Sequence, residues 1–340
     1  ARPEVHRPEI PGQRTRPVIK RGPGSGDWRP GASRHAVEAR ARLLADIRTF
    51  FAARNVLEVE TPVLSRAGNN APNLRCLSTD SEDKKYLRTS PEYAMKRMLA
   101  AGFSDIYELG RVFRAGETGR SHNPEFTLLE WYRLDMAYLD LAAETAELIR
   151  HCSRGQFDGW PLEFHSYREL FRSHTGLDPW FCSEGDLVTC AAERGLHAPQ
   201  LEHSEWLDLI LAEIIQPALP GECISVIHDY QPEQAALARV RADDPPVAER
   251  FEVYLGQTEL ANGYQELTDA LEQARRFELE LRARSSRGED PAPVDERVLA
   301  ALRHGLPACS GVALGVDRLL MALLKLEHLD AVLAFSDSRV

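Results

Sequence analysis

Residues 113–132 read FRAGETGRSHNPEFTLLEWY, and the alternation at the end of this stretch decides how the chain folds. From Glu125 to Arg133, a period of two puts Phe126, Leu128, Glu130 and Tyr132 on one face of a strand and Thr127, Leu129 and Trp131 on the other. The preceding run, Ile106 to Arg114, also reads as a strand. Between the two lies the polar, Gly-containing segment 115–124, so they form an antiparallel pair joined by a long loop, and loops of that length more often work than merely connect. Arg114 shares parity with Val112, Gly110 and Glu108, which places its guanidinium at the loop end of a face where Gly110 leaves room. An arginine, a glutamate and an aromatic ring on one face can hold a phosphate, an ammonium and a flat base. An ordinary amphipathic sheet with one solvated face gives the same pattern.

Towards the N-terminus, Ser90 reads as the cap and Pro91 as the first residue of a helix ending near Gly102. Tyr86 to Arg88 is a short strand. Val56 to Leu64 is strand-like but carries Pro62, which belongs at an edge or a bulge. Val37, Leu44, Ile47 and Phe51 recur at three-to-four spacing, predicting an amphipathic helix behind Ser33. Towards the C-terminus come a helix over Ala137 to Ser153, a mostly helical insertion over 155–249 with one strand at Ile224 to Asp229, and two strands around Gly256-Gln257. A helix over Ala270 to Arg287 follows. Glu259 and Glu266 are seven apart, on opposite faces of a regular strand; a bulge at Asn262-Gly263 would bring both carboxylates together, where they could bind Mg²⁺. Two unrelated surface glutamates are the plain alternative. Residues 311–319, GVALGVDRL, read as a small-residue strand turning into a helix at Asp317-Arg318. Arg318 there either neutralises phosphate or is a surface residue beside a capping Asp317. A last strand is expected at Val332 to Phe335. Strands and helices without regular βαβ alternation predict an α+β fold built on an antiparallel sheet flanked by helices.

The 340 residues carry 41 Lys+Arg against 52 Asp+Glu, a net charge of −11, with 43% hydrophobic residues: the composition of a soluble globular protein. The charge is uneven. Residues 1–34 hold eight basic and three acidic residues, and residues 1–32 hold six Pro and five Gly, so 1–32 is expected to be a flexible basic tail and 33–340 the folded domain. An acidic body lacks the cationic stripe that broad phosphate-backbone binding requires, which makes nucleic acid a poor default partner. The six cysteines show no C-x-x-C pair, no apolar run approaches the ~18 residues that span a bilayer, and the N-terminus lacks a signal-peptide core; a cytoplasmic protein with free thiols is expected. G-x-x-x-x-G-K-[ST], H-E-x-x-H and G-x-S-x-G are all absent.

Four segments taken in order resemble the class II aminoacyl-tRNA synthetases, lysyl branch. Residues 50–64 (FFAARNVLEVETPVL) look like motif one, 113–132 like motif two and 311–319 like motif three, and 259–266 (ELANGYQE) match the lysyl segment between them. The resemblance spans most of residues 35–340. Lysyl-tRNA synthetases carry an OB-fold for the anticodon, which needs on the order of 100 residues, whereas about 34 precede the first helix here. A catalytic core without an OB domain resembles the elongation factor P lysine ligase family. That resemblance implies ATP and Mg²⁺ as cofactors, (R)-β-lysine or lysine as the activated amino acid, elongation factor P as protein acceptor, and a homodimer through the Phe50–Leu64 region. A truncated enzyme that charges tRNA and a non-catalytic regulatory paralogue are the competing readings.

Position by position, the resemblance implies that Arg114 and Arg318 are catalytic. Arg114, Gly116, Glu117, His122, Asn123, Phe126, Glu259, Leu260, Gly315 and Arg318 would bind ATP, with Phe126 stacked on adenine and Arg318 at the far side of the triphosphate. Ser90, Glu92, Glu130, Tyr132, Asn262, Glu266 and Ala313 would recognise the amino acid, and Glu259 and Glu266 would hold Mg²⁺. Two departures stand out. Motif two reads Phe113-Arg114-Ala115-Gly116-Glu117 where lysyl enzymes commonly have F-R-N-E, so Glu117 is the displaced candidate for the adenine-contacting acid. Ala313 stands where lysyl-tRNA synthetases have Gly and is expected to turn the pocket from α-lysine towards β-lysine.

Overall fold

The first half of the chain forms α1 (Arg34–Ala52), β1 (Leu57–Glu58), β2 (Leu64–Ser65), β3 (Tyr86–Leu87), α2 (Glu92–Ala100), β4 (Ile106–Phe113), β5 (Glu125–Leu134) and α3 (Tyr138–Ser153). It continues through β6 (Leu162–Ser166), α4 (Tyr167–Thr175), α5 (Glu184–Glu193), α6 (His203–Ile210), β7 (Ile224–Tyr230), β8 (Val240–Arg241), β9 (Val247–Leu255) and β10 (Thr258–Gln265). Last come α7 (Ala270–Ser286), α8 (Glu296–Gly305), β11 (Cys309–Gly315) and α9 (Val316–Leu323). The computed structural model describes residues 28–71, 74–198, 201–289 and 291–340. Most of the basic tail expected over 1–32 therefore lies outside the described residues.

Nine strands make one sheet in the order β1-β4-β5-β11-β10-β9-β7-β6, with β8 on β9, and β2 pairs with β3 separately. Every pairing from β4 to β7 is antiparallel, as the sequence predicts. The two edges differ: β1 pairs parallel to β4, and β6 parallel to β7. Residues 155–249 thus extend the main sheet with β6 and β7 and lay α4–α6 over that end. Among the described residues no further β-structure is present that could close an OB barrel.

One face of the sheet is fully covered. Leu43, Ile47, Phe50 and Phe51 of α1, Leu141 and Ile149 of α3, and Leu319 of α9 pack on Leu129, Trp131, Val312 and Leu314. Trp131 has no exposed area; truncating such a side chain to Ala costs about 3–5 kcal/mol. The buried stripe of α1 is rotated from the expected one, since Val37 is 43% exposed while Leu43 and Phe50 are inside. The opposite face is covered only at its ends. α2, α7 and α8 pack at one end through Met95, Leu99, Phe277 and Leu302, and α4–α6 at the other through Phe171, Leu187, Trp206 and Ile210. Between them the centre of the sheet carries polar side chains.

Three local expectations shift. Pro91 occupies the cap and α2 starts at Glu92, while the Ser90 hydroxyl accepts from the Glu92 N–H at 3.0 Å. Val332 to Phe335 is no strand: the N–H groups of Gly31 and Ala32, in a bend, donate to the carbonyls of Ala334 and Leu333, and two bonds do not make a ladder. Gly110 does not leave room for Arg114. The Arg88 guanidinium fills that space, 2.4 Å from where a Cβ would sit, and pairs with buried Glu108.

Candidate active site

β5 delivers its predicted face intact. Phe126, Leu128, Glu130 and Tyr132 point to the uncovered centre of the sheet, but this is no solvated face: Glu130 is 3% exposed and Tyr132 2%. Two adjoining pockets lie on it. The first is lined by Arg114, Glu117, His122, Asn123, Phe126, Glu259, Leu260, Gly315 and Arg318, nine of the ten residues expected to bind nucleotide. Gly116 is the exception: it is the turn residue at φ 80° in the loop beside them. The second pocket gathers all seven residues expected to recognise the amino acid: Ser90, Glu92, Glu130, Tyr132, Asn262, Glu266 and Ala313.

The first pocket is bounded by cations. The Arg114 guanidinium sits 5.1 Å from the Phe126 ring centroid and 3.5 Å from Glu117, with its Nε buried and unpartnered among the described residues. Arg318 spans the opposite wall, donating to the Glu259 carboxylate at 3.2 Å and to His122 Nε2 at 2.7 Å. Burial and then Arg318 lower the pKa of His122, which keeps the ring neutral and able to accept. Asn123 holds the loop in place, donating to the Glu125 carbonyl at 2.7 Å and accepting from Asp337 N–H at 2.9 Å. Asp317 is not a helix cap, since Gly315 is. Buried, it accepts from the Thr127 N–H at 2.7 Å and pairs with Arg40, tying α9 to β5 and α1.

The second pocket is acidic. The hydroxyls of Ser90 and Tyr132 donate to the two oxygens of Glu130 at 2.6 and 2.7 Å. Burial, then the nearby Glu92, nonetheless push the Glu130 carboxyl up to about 8, against those two hydrogen bonds. Lys96 lies between Glu92 and Glu266, 2.6 Å from each. Burial opposes its charge, but Glu266 and Glu92 outweigh that and hold it protonated above the ordinary lysine value. Asn262 Oδ1 is buried without a partner and faces the same space. Gly311 lets these groups approach, because a Cβ there would stand 2.4 Å from the Tyr132 ring and 2.5 Å from Glu266.

The structure does not gather Glu259 and Glu266 at one point. The parity reset between them exists, but the bulge sits at Leu260, between the Glu259–Tyr254 and Ala261–Val253 pairs, and not at Asn262-Gly263. Glu259 lines the first pocket, while Glu266 lies in the second, paired with Lys96. The acid that acts on Glu259 is Glu252 of β9: burial first, then Glu252, raise the Glu259 carboxyl. The Glu252 carboxylate is itself engaged, accepting from Arg250 at 2.5 Å and from the Tyr254 hydroxyl at 2.6 Å. Of these three acids Glu259 alone therefore lines the first pocket, where a single carboxylate fits a hard divalent cation that keeps most of its other ligands as water or phosphate. Lys96 and Glu252 escaped the sequence reading. Lys96 is detectable as the i+4 partner of Glu92, and Glu252 through the hairpin that places it opposite Asn262.

Compared with known proteins, residues 26–339 match the family model for tRNA synthetases class II (D, K and N). The chain belongs to that family. An elongation factor P--(R)-beta-lysine ligase of Haemophilus ducreyi is 43% identical over 321 residues, covering 92% of this chain and 97% of that protein. Proteins of the same name from Pectobacterium atrosepticum and Pasteurella multocida are each 42% identical, over 92% and 91% of this chain and 98% and 97% of theirs. The resemblance read from four segments is borne out at the level of the family. No helix among the described residues is long and apolar enough to cross a membrane.

Proposed function

We propose that the chain is an ATP-dependent ligase that activates (R)-β-lysine, or lysine, as an aminoacyl-adenylate and transfers it to the ε-amine of a lysine of elongation factor P. The observation that carries this reading is Arg114, which borders both pockets. A carboxylate held in the acidic pocket and the α-phosphorus of an ATP held on Phe126 meet there. Arg114 then neutralises charge on the phosphoryl oxygens as the carboxylate oxygen attacks and pyrophosphate leaves towards Arg318. Catalysis by positioning and charge neutralisation suffices for such a displacement. Glu130, Glu92 and Glu266 receive the two ammonium groups of the amino acid, and Asn262 and Ala313 shape the floor beside them. Mg²⁺, held by Glu259, would neutralise phosphate charge.

The acceptor is inferred from the names of the relatives and from the acidic body, which offers no stripe for a nucleic-acid backbone. A homodimer is consistent with the edge strand β1 and with Leu57, Val63 and Leu64, which are 49%, 38% and 45% exposed. Phe50, Phe51 and Val56 of the same region are buried within their own core and unavailable to a partner. The deciding experiment measures ATP–pyrophosphate exchange with α- and β-lysine, then transfer to elongation factor P and to tRNA. Exchange with transfer to the protein is expected; no exchange with either amino acid, or transfer to tRNA alone, would overturn the proposal.

A further inference from the structure

Among the described residues, Ala71, Ala236 and Glu280 border both the amino-acid pocket and a wide groove that opens beside α7. Two of the three end at a methyl group, so Glu280 is the one functional side chain at this passage. It lies on α7, one turn from Arg276 and one turn from Arg284, the spacing at which a helical ion pair forms. Neither arginine is spent on it. Arg276 donates to the carbonyls of Ala236 and Ala238, each at 2.8 Å, and to Glu272. Arg284 donates to the carbonyls of Asn70, Ala71 and Leu74 and to Glu289. Among the described residues, Glu280 Oε2 is left buried without a hydrogen-bond partner. The other acids of the pocket are engaged: Glu92 and Glu266 with Lys96, and Glu130 with Ser90 and Tyr132. A second groove meets the pocket at Asn69, Ser90, Glu92 and Tyr93, but there Asn69, Ser90 and Glu92 are already hydrogen-bonded and Tyr93 is a phenol held neutral by burial.

Resting on the ligase reading above, we infer that Glu280 is the base that receives the acceptor amine: a lysine side chain enters along the α7 groove and surrenders a proton to the Glu280 carboxylate. An ammonium is no nucleophile, so the second half-reaction requires this deprotonation. The neutral nitrogen then attacks the carbonyl carbon of the adenylate. A C–N bond forms, the bond from that carbon to the phosphate oxygen breaks, AMP leaves with the electron pair, and the remaining excess proton on nitrogen passes to the departing phosphate. Burial pushes the Glu280 carboxyl up to about 7, with Arg284 opposing, Glu92 reinforcing and Arg276 opposing. Tyr93, the other titratable group near it, is itself buried and raised, so it stays neutral. A carboxyl poised near neutrality both accepts and returns a proton at working pH.

The test separates the two half-reactions. Glu280→Gln and Glu280→Asp are compared with the parent for ATP–pyrophosphate exchange with β-lysine, and for single-turnover transfer from preformed adenylate to elongation factor P across pH 6–8.5. Thermal melts verify folding. The ratio of transfer to exchange should fall about 100-fold in Glu280→Gln and recover in part in Glu280→Asp. The transfer limb that rises through pH 7 in the parent should be absent in Glu280→Gln. An unchanged ratio, or exchange and transfer falling together, would assign Glu280 to structure or to amino-acid binding and overturn the inference. A parent protein with no exchange defeats the ligase reading itself, a distinct outcome.

Discussion

Binding of a diamino acid should expel a proton from the empty site. The Glu130 carboxyl, lifted to about 8 by burial and by Glu92, is about nine-tenths protonated at pH 7. An ammonium arriving within hydrogen-bond distance favours the carboxylate, and the hydroxyls of Ser90 and Tyr132 are already placed to donate to it. If the bound form is ionised throughout, apparent affinity rises about ninefold from pH 6 to 7 and about fivefold from pH 7 to 8. About 0.9 proton per site is released at pH 7, and about half a proton at pH 8. Titration calorimetry with lysine in buffers of different ionisation enthalpy reads this directly as the slope of observed heat against buffer enthalpy. The difference between parent and Glu130→Gln isolates the contribution of this one group. A companion effect has a fixed sign: because the folded value is raised, the ligand-free fold keeps a proton that the unfolded chain loses near 4.5, so stability falls as pH rises from there to about 8. Affinity flat from pH 6 to 8, or the same buffer slope in Glu130→Gln, would refute the reasoning.

Phe126→Ala should raise the KM for ATP between about fivefold and 100-fold, the worth of one base stacked on an aromatic ring, and leave lysine affinity unaltered by calorimetry. Glu259→Gln should shift the Mg²⁺ dependence of exchange to at least tenfold higher metal, whereas Glu266→Gln should weaken lysine binding without moving the metal curve; an equal metal shift in both variants would restore the pair expected from sequence. Asp317→Ala removes the ion-pair partner of half-buried Arg40 and the acceptor of the buried Thr127 N–H, and should cost about 1–3 kcal/mol in denaturant unfolding. Ala313→Gly, which removes the methyl group opposite Glu130 on β11, should raise exchange with α-lysine relative to β-lysine; an unchanged ratio excludes Ala313 as the discriminator.

What could be read in advance depended on how local the determinant was. The faces of β4 and β5 follow from period two, and there the sequence places Phe126, Glu130 and Tyr132 correctly relative to one another. The division of the acids does not follow from any local rule. A bulge at Leu260 carries no glycine to announce it, and Lys96 reaches Glu266 from a helix 170 positions earlier. The same limit applies at Gly110: a missing side chain signals that something approaches, but only the fold shows that it is Arg88 and not a ligand. The edge strand β6 eluded prediction because its pairing with β7 is parallel and joined through three intervening helices. Glu280 gave no signal at all, since its meaning lies in two arginines on its own helix turning away from it.

The inventory of the amino-acid pocket also explains which substrates it should refuse. Glu92, Glu130 and Glu266 gather around one protein ammonium, Lys96, with Arg114 at the border of the pocket. Three ionised carboxylates around one ammonium, largely out of water, would be costly, and the raised values of Glu130 and Glu266 show protons taking up part of the excess. An amino acid with one ammonium could meet only one of these demands and would leave Glu130 protonated, its two donated hydrogen bonds spent on a neutral carboxyl. A diamino acid replaces protons with its own charges and lets those hydrogen bonds become charge-assisted, which are roughly twice as strong as neutral ones. Selection for two amines is therefore a matter of unmet negative charge more than of pocket shape, and norleucine, with the length of lysine but no side-chain amine, should fail to support exchange even at concentrations 100-fold above the lysine KM.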